Sequence, residues 1–125
     1  MPSTQFRSLI SAYLIAVGVT ALHDIVEFGA PSLQNTLPFA ILVGALLLAY
    51  HQWPHWARCQ LTTLLVIVLI WLVGGGIASV VPFSFWPWTP AQSALHYVVH
   101  TVWTIGLGIL AFSLVRSLSN RGEYG

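Results

Sequence analysis

The chain has 125 residues, of which 57% are hydrophobic and 6% charged, against about 25% charged in an ordinary soluble domain, and so few charges cannot coat a soluble fold. The net charge of +1 comes with no lysine and no basic stripe, which speaks against a nucleic-acid-binding surface. The single cysteine, Cys59, excludes an internal disulfide and a cysteine-rich metal centre.

Crossing about 30 Å of hydrocarbon takes about 20 mainly apolar residues, and four segments qualify. The first runs from about Phe6 to Phe28. Arg7 followed by an apolar run loosely imitates a signal peptide, but the run is longer than a usual signal core, so a retained first span is expected, with a cleaved signal as the rival reading. The second and shortest span runs from about Leu37 to Trp53. The third runs from about Gln60 to Val81 and the fourth from about Ala91 to Leu118. Between Cys59 and Val115 there is no Asp, Glu, Lys or Arg. Pro31, Pro38, Pro54, Pro82, Pro87 and Pro90 fall at or between the span ends, where proline punctuates helices rather than breaking them.

The connections alternate in character. The first, from Gly29 to Thr36, has no cation; the second, from His51 to Cys59, carries Arg58. The third, from Pro82 to Pro90, is uncharged and holds Phe83, Phe85, Trp86 and Trp88; the tail carries Arg121. With Arg7 and Arg116, every cation falls on one side, which the positive-inside rule makes cytoplasmic. The expected fold is an all-α integral membrane protein: one domain over residues 1–125, an antiparallel bundle of four spans, with both termini inside. The expected location is a prokaryotic cytoplasmic membrane. The loop aromatics then form an outer interfacial belt, with Trp53 and Trp56 as its inner counterpart. Cys59, beside Arg58 on the inner side, is expected to stay reduced. Leu14–Gly18 and Leu69–Gly74 hint at a two-plus-two parallel repeat.

Read at about 100° per residue, Ala12, Ala16, Thr20, His23 and Glu27 share an arc of about 80° on the first span. Ser93, His96, His100, Thr104, Leu107 and Ala111 share a similar arc on the fourth, with Gly108 just beyond it. Each stripe is polar in its outer half and mostly small in its inner half, the pattern of two helices that approach closely. Asp24 lies past the edge of its stripe, toward water or a neighbouring helix. Tyr97 is turned about 100° from His96 and is not counted. Depth agrees with the pairing. His23 lies sixteen residues above Arg7 and His100 sixteen above Arg116, about 24 Å each. Glu27 and His96 are level in the same way.

The outer pocket of His23, Glu27, His96 and His100 admits four readings. It can be a polar knot that fixes helix register, with Glu27 accepting from His96 and His23 paired with Thr104 or a backbone carbonyl. It can hold a divalent transition metal: His23 with Glu27 and His96 with His100 are i,i+4 pairs, and three imidazoles with a carboxylate suit zinc, copper, nickel or iron. It can hold haem b between His23 and His100, with the glycines at 74, 75 and 76 giving room for the macrocycle. It can begin a proton or solute path, continued only by Tyr13, Tyr50 and His51. His51 and His55 are separated by Pro54 and read as interfacial residues. No HExxH or GxSxG motif is present, so an enzyme is not specifically indicated. The expectation is a small binding or accessory protein of the inner membrane, whose partners are the lipid bilayer and a larger membrane complex or further copies of itself. The alternatives are a small transporter or proton-coupled channel, and a purely structural subunit.

Overall fold

A computed structural model describes residues 4–28, 35–80 and 90–124, and every regular element in them is helical. Helix α1 is Thr4–Phe28, α2 is Thr36–Gln52, α3 is Ala57–Val80 and α4 is Pro90–Tyr124. A short 3₁₀ turn, Pro54–Trp56, links α2 to α3. Three helices, α1, α3 and α4, are long and apolar enough to cross a membrane; α2 is apolar but shorter, at 17 residues. The loop aromatics Phe83, Phe85, Trp86 and Trp88, and the Ser93 side chain, lie outside the described residues.

The described prolines act where expected; Pro31, Pro82 and Pro87 lie outside the described residues. Pro38 sits in the first turn of α2 and Pro90 is the first residue of α4, positions at which a missing N–H breaks no helical hydrogen bond. Trp53, which precedes Pro54, leaves helical geometry at φ −127°, ψ 73°, because proline disfavours the α conformation in the residue before it. Its N–H still reaches Ala49 O at 2.8 Å. The fourth helix runs six residues beyond the expected span end, through the Arg- and Ser-bearing tail.

The helices form a square in which each packs on its neighbours in sequence, and α4 closes back onto α1. Three contacts fix antiparallel order. The end of α1 meets the start of α2 through Asp24 and Thr36, at 2.8 Å. Phe6 near the start of α1 lies by Tyr50 near the end of α2, ring centroids 6.0 Å apart. Phe39 of α2 lies against Trp71 of α3. One end of the bundle therefore carries Arg7, Arg58 and Arg116, and the other carries Asp24 and Glu27.

Leu9, Phe39, Val43, Leu47, Leu61, Leu64, Val68, Leu107, Leu110 and Leu114 fill the centre. Their spacings of three and four residues put them on one face of each helix. The outer faces are just as apolar: Leu14, Ile41, Leu48, Ile70, Val73, Ile105 and Phe112 are all exposed. Two glycines mark close approaches. A Cβ at Gly106 would collide with the methyl groups of Val19, and one at Gly44 would stand 2.7 Å from the Tyr13 hydroxyl. Gly108, expected near the seam, has open space beside it. The helix is rotated so that Trp103 and Gly106, rather than Gly108, lie toward α1.

Candidate functional site

Small residues come first along the α1–α4 seam. Ala12 and Ala16 are buried, and removal of bulk there lets the helices close. Thr20 follows, fully buried. Its hydroxyl donates to Ala16 O at 2.7 Å and accepts from Trp103 Nε1 at 2.9 Å. Above it stand His23, His96 and His100, all buried, and Glu27, whose side chain is 12% exposed.

The two pairs expected to be level do meet. His23 Nε2 and His100 Nε2 lie 3.1 Å apart. His96 Nδ1 and Glu27 Oε1 are in direct hydrogen-bond contact, and Glu27 Oε1 is 3.4 Å from His100 Nε2. One donor atom each from His23, Glu27 and His100 lies within 4.8 Å of the others. Trp103 forms the floor, stacked on the His23 ring at 4.3 Å and 24°.

One expectation is narrowed and one changes. Asp24, expected past the edge of its stripe and toward water or a neighbouring helix, turns to the neighbouring helix α2 and is 0% exposed. One oxygen accepts from Asn35 N at 2.9 Å, Thr36 N at 2.8 Å and the Thr36 hydroxyl at 2.8 Å. The other accepts from Asn35 Nδ2 and faces His23 Nδ1, both at 3.1 Å. Asp24 thus supplies the cap for α2, whose own Asn35 makes no side-chain cap bond. Nor does His23 pair with Thr104, whose hydroxyl turns back to His100 O at 2.8 Å.

Trp103 was the other residue missed. It lies about 20° beyond the edge of the fourth-helix stripe, and a tryptophan in an apolar run gives no sign of which way its N–H turns. Tyr97 is half exposed and meets the site through a ring contact with His96. His51 stacks on Phe6 at 4.6 Å at the opposite end, and His55 is exposed beside Trp56. Neither joins the cluster.

Chemically the cluster gathers three imidazoles and two carboxyl groups, with the described arginines at the far end of the bundle. Such a set can bind a cation. No known protein family, curated protein or solved structure matches this chain. Its function is therefore read from its geometry.

Two of the remaining readings fit that geometry poorly. A haem held by His23 and His100 would need room for a flat macrocycle between them, whereas their Nε2 atoms lie 3.1 Å apart and their rings are in contact. The α1–α4 seam is closed below them by Trp103 and Gly106. A proton path lacks its inner half: the stripe continues from Thr20 as Ala16, Ala12 and Leu9. The Tyr13 hydroxyl donates to Ala40 O at 2.8 Å, away from the stripe.

Proposed function

We propose that this chain is a four-span membrane protein, N-in and C-in, whose outer-half pocket binds a divalent transition metal. His23, Glu27 and His100 are its ligands, and His96 holds Glu27. The observation that carries this reading is the convergence of His23 Nε2, His100 Nε2 and Glu27 Oε1. Two of the separations are 3.1 and 3.4 Å, and the edge of a tetrahedron around zinc with imidazole ligands is about 3.3 Å. These spacings, on two helices packed against each other, support the metal reading.

The membrane reading is supported by helices that are apolar on their outer faces as well as their inner ones, and by the grouping of Arg7, Arg58 and Arg116 at one end. In that frame α2, though short, completes the square as the second span. The protein acts as a binding or accessory component of the cytoplasmic membrane, alone in copies or within a larger complex. An autonomous enzyme is not favoured, because the pocket offers ligands but no paired nucleophile and base.

The test is elemental analysis of detergent-purified protein beside His100→Ala. Near-stoichiometric zinc, copper, nickel or iron in the wild type, lost in the variant, is the expected result. Metal absent from both, even after incubation with excess ion, would leave the cluster as a polar knot that fixes helix register. The topology is read by reporters fused after Gly125: a cytoplasm-active reporter should work there, and activity of a periplasm-only reporter would overturn the orientation.

A further inference from the structure

The carboxylate of Asp24 serves two elements at once. Through one oxygen it gathers the first N–H groups of α2 and the Thr36 hydroxyl; through the other it faces Nδ1 of His23 and takes the Asn35 amide. His23 then presents its other nitrogen, Nε2, to His100. A ring whose Nδ1–H is held by a carboxylate has a bare Nε2 to offer a cation. Such outer partners commonly orient metal-bound histidines. Helix α2 contributes no ligand of its own, yet its first turn fixes the group that aims one.

We propose, resting on the metal reading above, that Asp24 is the positioning residue of this site: it sets the tautomer and orientation of His23 and ties them to the docked N-terminus of α2. The neutral amide introduced by Asp24→Asn could not do both tasks. Its single oxygen can accept from the α2 donors or from His23, and its NH₂ must face the other. The α2 side offers two backbone N–H groups and a hydroxyl, so the oxygen turns there and the NH₂ turns to His23. The ring then accepts at Nδ1 and carries its hydrogen on Nε2, inside the ligand set.

The experiment uses full-length protein in detergent, labelled with ¹⁵N-histidine, with Co²⁺ as the probe ion. Wild type should show His23 with Nδ1 protonated and should bind Co²⁺. Asp24→Asn should weaken Co²⁺ binding at least tenfold, within the range for loss of an outer-shell partner, and should move the proton signal of His23 to Nε2. A folded Asp24→Asn protein with both properties unchanged would overturn the proposal. Should that variant not fold, Asn35→Ala combined with Thr36→Val keeps the carboxylate and removes two of its side-chain donors. A Co²⁺ affinity lowered by less than tenfold is expected there, and an unchanged affinity would overturn the tie to α2. A wild type that binds no Co²⁺ would remove the metal reading, while the ring signal would still decide whether Asp24 orients His23.

Discussion

The two halves of the α1–α4 seam are built on opposite principles. Toward the Arg-bearing end, Leu9, Ala12 and Ala16 share one buried apolar cluster with Leu107, Leu110 and Leu114. Toward the other end, Thr20, His23 and Glu27 meet Trp103, His100 and His96 through directional contacts, and Asp24 holds His23 from behind. Apolar packing tolerates small slips of one helix past another. A hydrogen-bonded cluster does not, because a shift of one residue along a helix turns every side chain by about 100°. The apolar half supplies contact area; the polar half sets register. In the proposed membrane setting this division matters more than in water, since lipid hydrocarbon solvates leucine as well as a core does.

The comparison breaks most severely at Gly106, where the two halves join. A side chain there collides with Val19. Gly106→Val should force α1 from α4 and lower stability by about 3 kcal/mol, the upper part of the usual range for overpacking. It should also reduce metal content, because His23 and His100 sit just above. Val19→Ala in the same protein should restore part of both, which a double-mutant cycle on Tm and metal per chain would measure. Equal effects with and without the second change would show that the contact is not what holds the seam.

A smaller effect separates the halves. Leu110 is fully buried in the apolar part. Leu110→Ala should cost about 2 kcal/mol of stability, at the low end for buried leucine, and leave metal affinity within about twofold. A tenfold loss of metal from this substitution would show that the halves are not independent. The smallest effect is expected at Tyr13, whose hydroxyl donates to Ala40 O on α2. Tyr13→Phe should cost about 0.6 kcal/mol, the average for such bonds in a membrane bundle, with metal content unchanged. A cost several times larger would mean that this single bond, and not the Asp24 cap, holds α2 in place.

Much of the fold was legible in the residues. The helix bounds follow from the apolar runs and the prolines because backbone chemistry leaves few other places for a helix to start or stop. The starts of α2 and α3 at Thr36 and Ala57 fall within three residues of the expected bounds. The level pairs His23 with His100 and Glu27 with His96 were legible because helix rise is constant, so equal spacing from Arg7 and Arg116 means equal height. Orientation around the axis was less legible. Gly108 was placed near the seam and Gly106 was not considered, since a stripe drawn from polar residues ignores the bulk of Trp103, which must also find room against His23.

The sequence by itself determined four apolar helices, the end of the bundle that would hold His23, His96 and His100, and the height at which they would sit; each follows from hydropathy, proline chemistry and the fixed rise of a helix. Only the tertiary structure decided that Asp24 is buried. Its partners Asn35 and Thr36 lie eleven and twelve residues away at the start of another helix, and a carboxylate one step past a stripe reads from sequence as facing either water or a neighbouring helix, with nothing to choose between them. Where a side chain's hydrogen bonds end depends on which helix packs beside it and at what rotation, and no spacing within a single helix carries that information.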